Sequence, residues 1–261
     1  MKEIDSLVLL SEKTSFQSYL EAELSKKFKV HHFGKSDISV VGFSNFISVL
    51  ALLRPCCIIY LLSSYEGLNE NNFGSYVQRA LIGTEATYLE VRPLNYGGLT
   101  AKSSQKPYSA LVRTLFIELG LVHSFRTKNL ITDFLEKVKD RRKITLKEES
   151  NLPLISERMA AKYLSLFLNK AFLKQDLNGT YQLCENGFPH LSEVFEEALK
   201  TASVIAPDNY KAKLVFSPEE PSKAPYSFDN TQFQMDSELI LGDWRDGVIE
   251  TASGWVSEHI N

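Results

Sequence analysis

Glycine is scarce in this chain, at 13 of 261 residues, which is about 5% against an average usage of roughly 7%. None stands between Met1 and Phe33, so a phosphate-cradling turn near the start lacks the residue that lets backbone approach a pyrophosphate closely. Cysteine is scarcer still. Cys56 and Cys57 are adjacent and Cys184 is distant, a pattern with neither a disulfide framework nor metal-ligand spacing, which suits a reduced cytoplasm. An excess of positive charge is also missing. With 29 basic and 32 acidic residues the net charge is −3, so no summed positive field recruits nucleic acid. The most apolar stretch, Phe46 to Leu62, is broken by Arg54-Pro55 and falls short of the roughly 18 uninterrupted apolar residues of a membrane span. Met1-Lys2-Glu3-Ile4-Asp5 places acids where a secretory signal carries a basic head. The expectation is a cytoplasmic protein with no nucleic-acid or membrane partner.

What is present is ample apolar material, 44% of the chain with 11% aromatic, enough for a sizeable core. Leu7 to Leu10 is a short apolar run of buried-strand type, and Phe16, Leu20 and Leu24 follow at helical spacing. The alternation continues with strand Lys29–Phe33, helix Phe43–Leu53 ended by Pro55, strand Cys57–Leu62, helix Tyr76–Ile82 and strand Tyr88–Val91. A helix over Ala110–Leu119 and a strand over Leu121–Phe125 come next. Strands alternating with helices at this spacing predict an α/β doubly wound parallel sheet, Rossmann-like, with helices on both faces. The expected division is a Rossmann-like domain over 1–150, continued by part of 151–205, and a smaller C-terminal α/β lobe within 151–261. Later elements are helix Leu130–Lys139, strand Lys143–Leu146, helix Ser156–Leu173, strand Thr180–Leu183 and helix Leu191–Thr201. The proline-bearing stretch Ala206–Pro225 reads as a looping excursion, and Trp244 and Trp255 as anchors of the lobe. The densest basic run, Lys137, Lys139, Arg141, Arg142 and Lys143, is diluted by Glu136, Asp140, Glu148 and Glu149 and reads as a solvated helix end. His31-His32 suits a structural role, since strand neighbours point to opposite faces, and His123 reads as a satisfied core histidine.

Several segments in order resemble the extended short-chain dehydrogenase/reductase superfamily, specifically the dTDP-4-dehydrorhamnose reductases. They are Leu50–Pro55 followed by Cys57-Ile58-Ile59, then Val91–Gly98, Tyr108, Phe125-Arg126-Thr127, Leu152–Ala160, Gly179–Leu183, Tyr226–Asn230 and Gly242–Gly247. The resemblance spans nearly the whole chain. It implies a sugar-nucleotide-binding, NAD(P)-type Rossmann fold in which a Tyr donates the proton, a Lys four residues later lowers its pKa, and a Ser or Thr holds the carbonyl.

Laid on that pattern, the chain departs from it at each chemical position. The glycine positions of the dinucleotide loop fall on Ser11, Thr14 and Gln17, with Glu12 beside them. Tyr108 is the one retained catalytic position. Val112 stands where the lysine belongs, and the Ser/Thr position falls near Val91 or Arg92. Lys106 and Arg113 lack the spacing that places cation and tyrosine on one helical face. The resemblance places Arg126, Lys223 and Tyr226 where relatives grip a sugar nucleotide, and Arg92 joins them in a candidate ligand cleft. Ser63, Ser64 and Tyr65, at the end of the third strand, either line that cleft or form an ordinary strand-end turn. Lys35, which could meet a ribose phosphate, reads without the glycine loop as a solvated cation. The leading expectation is a catalytically degenerate relative that needs no cofactor and works as a binding or regulatory subunit, with a protein partner or a second copy. The alternatives are an NADP-dependent reductase of a nucleotide-linked 4-keto sugar and a non-reacting sugar-nucleotide binder.

Overall fold

The computed structural model describes residues 5–34, 42–62, 71–94, 112–147, 152–173, 177–217 and 228–260. Its strands are β1 (Ser6–Leu10), β2 (Lys29–Phe33), β3 (Cys57–Leu61), β4 (Thr87–Leu94), β5 (Thr114–His123), β6 (Lys143–Lys147), β7 (Leu154–Ser156), β8 (Gly179–Leu183) and β9 (Lys213–Ser217). Its helices are α1 (Ser15–Leu24), α2 (Phe43–Leu53), α3 (Asn71–Ala80), α4 (Leu130–Val138), α5 (Glu157–Leu173), α6 (Leu191–Ile205), α7 (Thr231–Ser237) and α8 (Trp244–His259). The main sheet runs β2-β1-β3-β4-β5-β7 with β8 also on β5, and β6 pairs with β9 in a separate ribbon. The β1/β2, β1/β3, β3/β4, β5/β7 and β6/β9 pairs are all parallel. This is the expected doubly wound α/β sheet.

The described residues fall into two compact units. The first holds β1 to β4, the start of β5, α1 to α3, most of α5 and nearly all of β8. Its inner strands β1 and β3 and the first five residues of β4 are buried on both faces, as parallel strands under two helical layers must be, while the edge strand β2 is half-buried. Val8, Leu10, Ile58, Tyr60 and Tyr88 face Phe46 and Leu50 of α2 and Val77 of α3. Leu7, Leu9, Cys57 and Ile59 are equally buried, and alternation puts them on the opposite face. Helix α2 stops where its sequence says it must. Arg54 takes a left-handed conformation, φ 43°, because Pro55 disfavours another helical residue before it.

The second unit holds the end of β5, β6, β7, β9 and helices α4, α6, α7 and α8. Phe134 of α4 stacks on Phe195 of α6 at 4.0 Å between centroids, and Trp244 is buried at the start of α8. Trp255 stacks instead on His259. A capping box starts α4. The Asn129 side-chain oxygen accepts from the Ile131 and Thr132 amides, while its amide group donates to the carbonyls of Ser124 and Thr127.

Two expectations about elements are corrected. Of the helix expected over Ala110–Leu119, the described part from 112 onward is not helical: Thr114–His123 forms strand β5, absorbing most of the strand expected at Leu121–Phe125. Its nearly continuous apolar run fits either element by periodicity alone, and a strand enclosed on both faces needs no alternation. The proline-bearing excursion contains a strand, β9, paired in register with β6. Among the described residues no helix is long and apolar enough to cross a membrane.

Asn129→Ala removes four hydrogen bonds at one helix start and should lower unfolding free energy by about 2 kcal/mol, read from the urea midpoint. A change within about 0.5 kcal/mol, as at ordinary surface positions, would mean that the cap carries none of α4's stability.

Candidate functional site

A doubly wound sheet binds ligands beyond the carboxyl ends of its strands, where strand order reverses. Here the chain passes from β1 outward to β2 and then returns to β3 on the other side of β1, which points to the β1–α1 turn. Ser11 closes β1 against β2. Its N–H donates to the Phe33 carbonyl at 3.2 Å, and His32 Nε2 lies 3.0 Å from the Ser11 carbonyl and 3.1 Å from its hydroxyl. A carbonyl only accepts, so His32 carries its proton on Nε2. Thr14 caps α1, accepting from the Gln17 amide at 3.0 Å. Gln17, 4% exposed, lies on the buried face of α1 with Leu20 and Leu24, and its side-chain amide donates to Glu21. Each of the three glycine positions therefore has a structural use: joining strands, capping a helix and filling the helix–sheet space.

The turn still has the chemistry of an anion holder. A helix start leaves its first N–H groups without intrahelical partners and carries partial positive charge. Thr14 occupies the Gln17 amide, which leaves those of Ser15 and Phe16. The Ser15 hydroxyl is buried with no hydrogen bond, and Lys13 is exposed beside it. These groups fit a phosphate, by amides and side chains rather than through glycine.

The resemblance places the catalytic hydroxyl near Val91 or Arg92, and there β4 carries a buried ion pair. Arg92 approaches Glu90 Oε1 through Nε at 2.6 Å and Nη2 at 2.5 Å, with side chains 11% and 5% exposed. Tyr88 donates to the other Glu90 oxygen at 3.0 Å, and the guanidinium lies 4.6 Å from the Phe116 ring. A Cβ on Gly74 would stand 2.7 Å from the Tyr88 hydroxyl and 3.3 Å from Glu90, so α3 approaches this cluster as only glycine allows. Burial, then the Glu90 charge, pushes the Tyr88 hydroxyl well above its ordinary value. Val91 is fully buried, and Val112 is 4% exposed within the apolar cluster of Val8, Leu10 and Tyr60. The cation next in sequence, Arg113, donates to the Leu177 and Ala171 carbonyls. Arg126 is exposed after β5, 5.2 Å over the Phe125 ring. Tyr108, Ser63, Ser64, Tyr65, Lys223, Tyr226, Lys35 and Lys106 lie outside the described residues.

A second polar cluster, within the second unit, escaped the sequence reading. His123 ends β5, Ser156 ends β7, Glu185 follows β8, and Gly247 and Thr251 belong to α8. His123 Nδ1 is 2.9 Å from the Thr251 hydroxyl, but Nε2 has no partner, nor has Glu185 Oε2. The histidine expected to be satisfied is satisfied at one nitrogen. A Cβ on Gly247 would stand 2.9 Å from Glu185 Oε2 and 3.0 Å from His123 Cε1, so both groups meet one point of the α8 backbone. Burial raises the Glu185 carboxyl from 4.5 to about 8, aided by Asp246, Glu250 and Asp243 and opposed by the Ser156 N–H. Burial lowers His123 from 6.5 to about 3. No joint signal for this cluster stands in the sequence: His123 lies within the strand expected at Leu121–Phe125, Ser156 at the start of an expected helix, and nothing local marks Glu185.

No protein-family model and no curated protein matches the chain. Solved structures do. The dTDP-4-dehydrorhamnose reductase of Bacillus anthracis, in complex with NADP, superposes at TM-score 0.67 with 15% identity, over 96% of this chain and 99% of that one. The Clostridium acetobutylicum dTDP-4-dehydrorhamnose reductase ortholog gives 0.66 and 12%, over 94% and 98%. A GDP-mannoheptose C4 reductase of Campylobacter jejuni with NADP bound gives 0.66 and 9%, over 98% and 99%. The chain thus shares the Rossmann-like fold of these solved structures. The expectation that no cofactor belongs to it is corrected: structures of this fold, matched over nearly the whole chain, hold NADP. The inference from missing glycines overreached because side chains and amides can also meet a phosphate.

The second cluster yields a sign-specific prediction. Glu185 is raised, so its contribution is complete below pH 4.5 and is lost as pH rises towards 8; His123 is lowered, so its contribution is complete above 6.5 and is lost towards pH 3. Glu185→Gln should therefore gain on the parent from pH 6.5 to 8, by up to about 1.4 kcal/mol per pH unit, in urea titrations. Parallel profiles would contradict this.

Proposed function

We propose that the chain is a nucleotide-binding protein of the reductase fold that does not transfer hydride, a catalytically degenerate relative of dTDP-4-dehydrorhamnose reductase acting as a binding or regulatory subunit. The observation that carries this reading is the β4 cluster. A reductase of this type needs a hydroxyl there to hold the substrate carbonyl, and a lysine to lower the tyrosine's pKa. In this chain Glu90 accepts from the Tyr88 hydroxyl and from Arg92 Nε, which supports a structural use of these groups. Val112 supplies apolar contact where the cation would stand, and Arg113 is spent on carbonyls.

Binding is the part that remains supported. The Ser15 and Phe16 amides, the Ser15 hydroxyl and Lys13 would meet the phosphates of a dinucleotide, whose own contribution when bound is a hydride-carrying nicotinamide. Arg126, exposed beyond β5, is a cation suited to the phosphates of a sugar nucleotide.

Two measurements on one sample test this. With NADPH at about 100 times its dissociation constant, bound cofactor should stabilise the fold by about 2.7 kcal/mol, visible as a rise in melting temperature. With a dTDP-linked 4-keto sugar added, NADPH should be oxidised no faster than without protein. Turnover at about 1 per second or more, ordinary for an enzyme, would overturn the reading in favour of an active reductase.

A further inference from the structure

Two polar side chains at strand ends of the second unit lack a full set of partners, and both meet the same turn of α8. Glu185, after β8, is 2% exposed; its carboxyl accepts from the Ser156 N–H, while Oε2 has no hydrogen bond. His123, closing β5, is equally buried; Nδ1 lies 2.9 Å from the Thr251 hydroxyl, while Nε2 has no partner. A Cβ on Gly247 would stand 2.9 Å from Glu185 Oε2 and 3.0 Å from Cε1, the atom that carries Nε2. An unmet polar group at this depth is costly, and here two of them share one step of a helix.

The pair is complementary in one protonation state only. A carboxylic acid donates a proton, whereas a carboxylate only accepts, and a neutral imidazole that donates through Nδ1 accepts through Nε2. Protonated Glu185 beside neutral His123 is donor facing acceptor, joined by a small side-chain turn or by one water. Ionised Glu185 leaves two acceptors. Burial favours the first state, pushing the carboxyl up to about 8 and the imidazole down to about 3. The charges that act on Glu185 are Asp246, Glu250 and Asp243, all acidic and all on α8 or its cap. Two cations beside these acids pair with them, Arg158 of α5 with Glu250 at 3.4 Å and Arg245 with Asp243 at 3.2 Å. Glu157, at the start of α5, is met by the Thr127 hydroxyl at 3.5 Å. The adjoining Cys184 thiol, pushed up to about 12 chiefly by burial, stays neutral.

We propose that Glu185 and His123 form a proton-held clasp on α8, a pH-sensitive device in which deprotonation loosens the helix from the ends of β5 and β7. Backbone carries the change from one to the other: the Asn186 N–H donates to the Gly242 carbonyl, and the Trp244 N–H to that of Asn186. Because the carboxyl is raised, its hold is complete below pH 4.5 and is lost as pH rises to about 8. His123 is lowered, so its own contribution is complete above 6.5. Between these limits, pH 6.5 to 8, Glu185 acts alone. Loosening uncovers the carboxyl ends of β5 and β7, the side on which a doubly wound sheet takes its ligand. The clasp does not depend on nucleotide binding, and no cofactor enters its test.

Amide hydrogen exchange of the full chain, read by mass spectrometry and corrected for the intrinsic pH dependence of exchange, follows the opening of α8. From pH 6.5 to 8 the opening constant over residues 244–251 should rise by up to about tenfold per pH unit and level off above that. Glu185→Gln keeps the shape and cannot ionise, so its profile should be flat. In His123→Phe the levelling should come at lower pH, because the protonated carboxyl has lost its acceptor. Helix α4, in the same unit, should stay at least about tenfold better protected than α8 throughout. A flat profile in the parent, the parent's slope in Glu185→Gln or an unchanged plateau in His123→Phe would overturn the proposal. So would equal protection of α8 and α4, which would mean that α8 leaves only by global unfolding.

Discussion

A carboxylate and a guanidinium buried together in β4 constrain everything around them. Moving either charge out of water costs several kcal/mol unless it is met by the other and by further hydrogen bonds. Glu90 is met by Arg92 and Tyr88, and the guanidinium lies over Phe116. The cluster in turn fixes the approach of α3, because Gly74 leaves the space that the Tyr88 hydroxyl occupies. Strand, helix and charge pair are interlocked, and the price of opening one is borne by all three.

On the proposed reading, the same interlocking separates binding from chemistry. A dinucleotide needs an anion-holding helix start, and α1 offers one with its amides, Ser15 and Lys13. Hydride transfer needs a carbonyl held by a hydroxyl and a proton donor tuned by a cation. In this chain Glu90 accepts from Tyr88 and from Arg92 on β4, and Val112 lies in the apolar core. A fold shared with NADP-bound reductases therefore warrants a cofactor-binding architecture more strongly than it warrants turnover.

How much of this was legible in the sequence depends on where the signal was local. Pro55 marks the end of α2, so that boundary could be read directly, whereas the caps Thr14 of α1 and Asn129 of α4 emerge from the structure. Strand β5 could not, because a run buried on both faces has no alternation to distinguish it from a helix. Strand β9 was hidden because its partner lies some seventy residues earlier in the chain. At the candidate site the missing glycines were visible, but what Ser11, Thr14 and Gln17 do in their place was not. The sequence points Arg92 at a ligand cleft and does not mark Glu90, and only the fold reveals that the two are packed against each other on β4. Glu185 and the unpartnered nitrogen of His123 were illegible for the same reason, since burial is decided by elements far away in sequence.

The central claim is that Glu90 and Arg92 are a structural pair, packed against each other inside the fold. A double-mutant cycle with Glu90→Gln, Arg92→Met and the double variant, read by urea unfolding, tests it most directly. Each single substitution leaves one partner buried and uncompensated and should cost about 3–5 kcal/mol, with the double variant costing clearly less than the sum. Small additive losses, each below about 0.5 kcal/mol, would show two independent groups free to meet a ligand, and would contradict the account.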